Sequence, residues 1–327
     1  MHIPDNYLSP QTCAVMAAVM VPAWVISVKK VREELPKEKI PMLGVGAAFS
    51  FLGMMFNVPL PGGTTGHAVG GTLISMLLGP YAACISVSVA LAIQALLFGD
   101  GGILAFGANC FNMAFVLPFV GYAVAGLIRK RIQGSKGEMI GAAIGSYVGI
   151  NAAAFCAAVE FGIQPYLFHD AAGNALYCPY GLNISIPAMM IGHLTIFGLA
   201  EVIFTTAVYA FVRRVSPAMI RTEEGGKTSV GLKVLIAVLI AATPLGLLAA
   251  GTAWGEWGAD EIAETGIGYT PAGMEKGFSF EAILPDYSAA GVPEVAGYIL
   301  SAVIGVALLI IIFKLLSLIP QKKKAGA

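Results

Sequence analysis

The stretch Gln11-Thr-Cys-Ala-Val-Met-Ala-Ala-Val-Met-Val-Pro-Ala-Trp-Val-Ile-Ser-Val28, followed at once by Lys29-Lys-Val-Arg32, decides the fold. It carries no formal charge and approaches the length of about 20 residues that a helix needs to cross a hydrocarbon core. No basic segment precedes it and it ends in no Ala-x-Ala-like site, so it reads as a membrane helix and not as a cleaved signal peptide. Cytoplasmic loops carry the excess of Lys and Arg. The basic residues behind this run therefore place its far end inside and the N-terminus outside.

The same reading extends over all 327 residues. Hydrophobic residues make up 57% and charged residues 12% of the chain, and the mean hydropathy is +0.80. A soluble domain carries about 25% charged residues; this composition is that of a polytopic membrane protein, all-α in class. The formal net charge is zero, which gives no support to a nucleic-acid partner. Cys13, Cys84, Cys110, Cys156 and Cys178 lack C-x-x-C spacing and are odd in number, so no disulfide framework is expected.

Charge is concentrated in four places: Lys29 to Lys39, Arg129 to Lys136, Arg213 to Lys233 and Lys314 to Lys324. Of the 19 Lys and Arg, only Lys276 lies elsewhere. If all four clusters face the cytoplasm, the number of crossings between them must be even. Apolar segments at about 41–56, 66–78, 80–98 and 108–128 separate the first two clusters, and segments at 138–160 and 186–212 separate the next two. Two more follow, at 231–250 and 295–317, around a long, acidic, outward loop from Gly251 to Glu294. The parity holds throughout and gives about nine transmembrane segments. Two of them, 41–56 and 66–78, are short. The Pro- and Gly-rich stretch between them and the break at Gly79-Pro80 are where irregular backbone lines a protein cavity instead of facing lipid. Small residues at close spacing, Gly141, Gly145, Gly149 and Ala152 to Ala154, predict closely packed helices.

The first ten residues, Met-His-Ile-Pro-Asp-Asn-Tyr-Leu-Ser-Pro, carry the chemistry. The initiator methionine is expected to remain, because its removal requires a small second residue. The Met1 amine, the deprotonated His2 amide nitrogen and His2 Nδ1 can then close two chelate rings around one ion. Three nitrogens in a plane, with a fourth donor needed, suit Ni(II), Cu(II) or a cobalt ion. Termini are usually frayed, and these residues alone are also compatible with an unattached end. Topology places His2, His67, Asp100, Asn109, His169 and Asp170 on the same, outer side. Of these, His67 is the best fourth donor, since it follows a tight Gly-rich turn and opens the next segment. A ligating imidazole needs a partner for its other ring nitrogen, and Asp5, Asn57 and Asn109 are the candidates. His193 and Glu201 lie inside an apolar segment, eight residues apart and so on one helix face. Ionisable residues within a span are costly and point either to function or to helix pairing. His169 lies in a polar loop and is expected to be solvated. The chain has no H-E-x-x-H or G-x-S-x-G motif, and Glu224-Gly-Gly-Lys-Thr-Ser229 lacks the first glycine of a P-loop, so no ATP hydrolysis is expected of this chain.

Several motifs in order resemble the CbiM/NikM family, the substrate-binding membrane components of energy-coupling factor transporters for cobalt and nickel. They are Met-His-Ile-Pro-Asp-x-Tyr-Leu-Ser at the start, Gly62-Gly-Thr-Thr-Gly-His67, Leu78-Gly-Pro80, Gln94-Ala-Leu-Leu-Phe-Gly-Asp-Gly-Gly102, Gly107-Ala-Asn-Cys-Phe-Asn-Met113, and Gly192-His-Leu through Gly198-Leu-Ala-Glu201. The resemblance covers residues 1–212. It implies that the N-terminal segment folds back into the bundle and binds Co²⁺ or Ni²⁺ in a square plane. The ligands would be the Met1 amine, the His2 amide and imidazole nitrogens, and His67. It also implies prokaryotic plasma-membrane location, a link to cobalamin biosynthesis, and no organic cofactor. The implied partners are a CbiQ/NikQ-like transmembrane coupling subunit and two CbiO/NikO-like ATPase subunits. Residues 213–231 read as a cytoplasmic linker. Residues 232–327 resemble a fused two-helix CbiN/NikN (PDGLE-like) module, although the Pro-Asp-Gly-Leu-Glu string is absent and the corresponding stretch reads Trp254-Gly-Glu-Trp-Gly-Ala-Asp-Glu261. Asn stands at position 6 where the family pattern has Gly, a change that an αL-tolerant residue absorbs. Two other classes compete with this reading: a membrane-embedded metal-dependent enzyme, with His193 and Glu201 as its only source of a base, and a stand-alone metal channel.

Overall fold

A computed structural model describes residues 1–60, 64–220, 229–249 and 252–319. Gly62 and Gly63 of the His67 turn, most of the linker's charged residues, and the last three lysines lie outside the described residues. Nine helices of eight residues or more make up the described chain. They are α1 (Pro10–Glu34), α2 (Ile40–Met55), α3 (Gly71–Leu78), α4 (Pro80–Phe98), α5 (Phe106–Arg131), α6 (Gly134–Leu167), α7 (Leu182–Val215), α8 (Val230–Leu248) and α9 (Glu294–Leu318). Seven of them are long and apolar enough to cross a membrane. The two exceptions are the segments that the sequence marks as short. Helix α2 has 16 residues, about 24 Å of rise, and nearly every one is buried. Helix α3 has only eight, about 12 Å. The rest of that crossing is non-helical chain, residues 67–70, which begins in the site described below.

Local chemistry sets the boundaries. Ser9 caps α1, its Oγ accepting the Thr12 N–H at 3.0 Å, with Pro10 in the first turn where its missing N–H costs nothing. A short antiparallel ribbon, β1 (Val58–Leu60) and β2 (Thr64–Gly66), turns the chain between α2 and α3. Helices α5 and α6 meet backbone to backbone: a Cβ at Gly145 would stand 2.6 Å from the Gly121 carbonyl, and one at Gly149 2.7 Å from that of Leu117. Helix α9 packs along α2 in the same way, where a Cβ at Gly44 would meet the Leu309 carbonyl at 3.0 Å. All five cysteines are free.

The charge pattern becomes geometry. At one end of the bundle Arg213 pairs with Glu138, and the Lys39 ammonium donates to the Ile220 carbonyl. The basic clusters that begin at residues 29, 129 and 213 therefore share one end, the cytoplasmic one by the positive-inside rule. The opposite end gathers the N-terminus, the turn at 99–105, the loop at 168–181 and the long C-terminal loop. Tyr7 donates to the Trp257 carbonyl at 2.8 Å, Ala175 N–H to the Tyr269 hydroxyl at 2.9 Å, and Leu284 N–H to the Leu97 carbonyl at 2.8 Å. The protein is a multi-pass, all-α membrane bundle with its N-terminus outside.

Candidate metal site

The N-terminal segment is fully attached. Asn109 holds Ile3 from both sides, accepting its N–H at 2.8 Å and donating to its carbonyl at 3.0 Å. Asp5 accepts the N–H groups of Ile103 and Leu104 at 3.0 and 2.7 Å. This seat leaves no room for a side chain at Gly102, where a Cβ would lie 2.5 Å from the Asp5 nitrogen. Asn6 takes a left-handed φ of 68°, and its side chain bridges the N–H and carbonyl of Phe278 at 2.9 and 2.8 Å. The Asn in place of Gly is thus accommodated, and it ties the N-terminus to the C-terminal loop.

This seat delivers His2 to a cavity of about 400 Å³ that is also lined by His67, Asn57, Asp100, Glu256, Asp286, Tyr287 and Glu294. His2 is 2% and His67 6% exposed. Their ring centroids are 4.9 Å apart, and each Nε2 is buried with no hydrogen-bond partner. Buried polar atoms are normally satisfied; the orphaned imidazole nitrogens of two residues that line one cavity are candidates for a metal ion, although no group of three or more His, Cys, Asp or Glu is arranged to hold one among the described residues. The Met1 amine donates to Glu256 Oε1 at 3.2 Å, and His2 Nδ1 donates to Asp100. Asp100 in turn accepts from Gln94 Nε2 at 3.1 Å and from the Tyr287 hydroxyl. Burial alone would raise the Asp100 carboxyl, but the His2 charge and the hydrogen bonds from His2 and Tyr287 hold it well below the usual carboxylate range.

Glu201 and His193 have different roles. The Glu201 carboxylate accepts Val69 N–H at 2.7 Å and Gly70 N–H at 3.0 Å, and the Thr205 hydroxyl at 3.3 Å. It reaches from α7 to the N-terminal end of α3, where a helix dipole favours negative charge, and straps the chain just after His67. Gly70 makes this possible with a φ of 72°. His193 Nδ1 bonds the Met189 carbonyl of its own helix at 2.8 Å, and its ring packs edge-on against Phe197. With both Glu201 oxygens engaged by backbone donors, the base that an enzyme would need is not free. His169 lies in the exposed loop, pairs through its backbone with Ala175, and its ring Nδ1 meets the neighbouring Asp170 carbonyl at 3.2 Å.

Of the residues singled out in the sequence, His2, His67 and Asn57 line the cavity, and the Met1 amine contacts Glu256 of the same lining. Asp5, Asn109 and Glu201 hold backbone around it and not an imidazole nitrogen. Sequence reading missed the roles of Asp100, Gln94, Glu256 and Tyr287. Asp100 stands in the Gly99-Asp-Gly-Gly102 turn, whose glycines were the available signal. Glu256 lies between two tryptophans in a loop otherwise read only as acidic.

The profile of the CbiM family, described as the cobalt uptake substrate-specific transmembrane region, matches residues 2–219. A PDGLE domain matches residues 228–322. The chain is 51% identical to the "probable fused nickel transport protein LarMN" of Lactiplantibacillus plantarum, over 96% of this chain and 97% of that protein. It is 49% identical to the "fused nickel transport protein NikMN" of Rhodobacter capsulatus, over 95% of each. A crystal structure of a truncated transition metal transporter, 56% identical, superposes with a TM-score of 0.62 over 65% of this chain and 99% of that one. The buried donors at the outer end of the bundle and these full-length likenesses converge: the chain belongs to the CbiM family of cobalt uptake substrate-specific transmembrane proteins, as a multi-pass membrane component of metal uptake with a PDGLE domain fused to its C-terminal end.

Proposed function

We propose that the chain captures Co²⁺ or Ni²⁺ from outside the cell and hands it to an ATP-driven, energy-coupling factor transporter. Residues 1–212 act as the metal-binding unit, 213–231 as the linker and 232–327 as the fused module that covers the site. The partners are a CbiQ/NikQ-like coupling subunit and two CbiO/NikO-like ATPases, so ATP hydrolysis lies outside this chain. The observation that carries the reading is that His2 and His67 line one cavity with ring centroids 4.9 Å apart, the Met1 amine lies 3.2 Å from Glu256 of the same lining, and His67 Nε2 is buried without a partner. The bound ion takes the Met1 amine, the His2 amide nitrogen, His2 Nδ1 and a His67 nitrogen in a plane. The contacts of the amine with Glu256 and of Nδ1 with Asp100 then give way to the metal.

In vesicles holding this chain with the three partner subunits, metal uptake is expected to require ATP and to vanish in His67→Ala. ATP-independent flux through the chain alone would overturn the reading in favour of a channel. Proton release gives a second check. The Met1 amine and the His2 amide must each lose a proton, so affinity falls as pH falls, about tenfold per pH unit for each proton released. Calorimetry between about pH 6 and 8 reads this slope directly; an affinity independent of pH would remove the amine and the amide from the ligand set.

A further inference from the structure

The cavity that leads to the two imidazoles is walled on its outer side by carboxylates of the C-terminal segment. Asp286 and Glu294 line it with Glu256, and Asp100 lies deeper beside His2 and His67. No lysine or arginine lines it among the described residues. Glu256 and Asp100 are engaged by the Met1 amine and by His2, whereas Asp286 and Glu294 make no ion pair among the described residues. Asp286 is raised by burial and also by the Asp100 charge, so the outer and inner carboxylates feel one another across the cavity.

The backbone that presents Asp286 is strained. Asp286 and Tyr287 take left-handed φ values of 51° and 59°, conformations that persist in non-glycine residues only where the surroundings over-determine them. Here the Tyr287 ring stacks on Phe98 with centroids 4.8 Å apart, meets Tyr298 at 5.3 Å, and its hydroxyl is held by Asp100 and Gln94. The turn is fixed to the floor of the site, and that fixes Asp286 at its mouth.

We propose that Asp286 and Glu294 form an outer capture site for a hydrated divalent cation, from which the ion passes over Glu256 to the buried nitrogen donors. The inference rests on the metal-site reading above, and His67, whose buried Nε2 has no partner, lines the same cavity. Carboxylate and water ligands suit a cation that keeps its hydration shell, and imidazole suits the dehydrated transition metal. Two like-charged side chains at the mouth of a low-dielectric cavity focus the field and raise the local cation concentration. The outer site therefore governs how fast metal arrives, and the nitrogens govern how slowly it leaves.

Stopped-flow measurement with Ni²⁺ on the full-length chain tests this. In Asp286→Asn/Glu294→Gln the association rate is expected to fall about tenfold at low ionic strength, to converge with the parent at high salt, and to leave the dissociation rate unchanged. Asn tolerates the left-handed backbone at 286, and Gln keeps the shape at 294. Glu281→Gln removes an exposed charge from the same loop outside the cavity and is expected to leave the rate as it was. An unchanged association rate in the double variant, equal slowing in Glu281→Gln, or a matching rise in the dissociation rate would each overturn the capture site. Misassignment of the nitrogen ligands would show in a different readout, the equilibrium affinity of an N-terminally extended chain.

Discussion

A single glycine added ahead of Met1 is expected to weaken Ni²⁺ and Co²⁺ binding at least a thousandfold, about 4 kcal/mol, without unfolding the bundle. The extension changes no side chain. It converts the Met1 nitrogen from an amine into an amide and moves the new amine one residue away, so a plane that still used the terminus would be filled by the amine, two amide nitrogens and His2, with no place for His67. Space forbids a simple shift of register. Met1 is 1% exposed at its side chain and its nitrogen lies 3.2 Å from Glu256, while Ile3 is clamped by Asn109 and Asp5 is tied to residues 103 and 104. The extra residue has to displace the 252–258 loop or leave the cavity. Calorimetry of extended and native chains, with thermal unfolding as the control for fold, checks it. Retained affinity that His67→Ala leaves unchanged would put the metal on the extended terminus alone; retained affinity that His67→Ala abolishes would place the ligands elsewhere and leave His67 with His193 as the set to search.

How much of this was legible beforehand follows the physics of each feature. Crossings, orientation and the two short segments were legible, because they depend on apolar length and on Lys and Arg position, both local properties. His67 was legible because the Gly-rich turn before it and the broken segment after it are local too. Asp100, Glu256 and Tyr287 were not. Their partners lie 98, 255 and 187 residues away along the chain for the Asp100–His2, Glu256–Met1 and Tyr287–Asp100 pairs, and no spacing rule connects groups that meet only in the folded state. A carboxylate in a Gly-Asp-Gly-Gly turn reads equally well as a hairpin. The pair His193 and Glu201 shows a subtler limit. Regular helical periodicity puts the two on one face, but residues 193–197 form a π-helical turn that inserts extra backbone between them. Their partners then differ: a carbonyl of the same helix for His193, and backbone N–H groups of another segment for Glu201. Backbone donors leave no mark in a sequence, so the charge inside the span was visible and its purpose was not.

That purpose gives the second large effect. Glu201→Ala leaves the N–H groups of Val69 and Gly70 buried without an acceptor. Each such group costs about 1–3 kcal/mol, so a destabilisation of roughly 2–6 kcal/mol is expected for the pair. Because the strap begins two residues after His67, metal affinity should fall as well, more than tenfold, even at temperatures where the variant is fully folded. Glu201→Gln separates the two consequences. Its amide oxygen still accepts a backbone N–H, while its NH₂ meets a second donor where the parent has an acceptor. It is expected to retain most of the stability and to show a smaller but measurable loss of Ni²⁺ affinity. Chemical denaturation and calorimetry on the same preparations give both numbers. If stability falls and affinity at full folding does not, Glu201 caps α3 and nothing more. If both fall together, with Gln between Glu and Ala, the carboxylate inside the membrane is what keeps the His67 imidazole where a metal can use it.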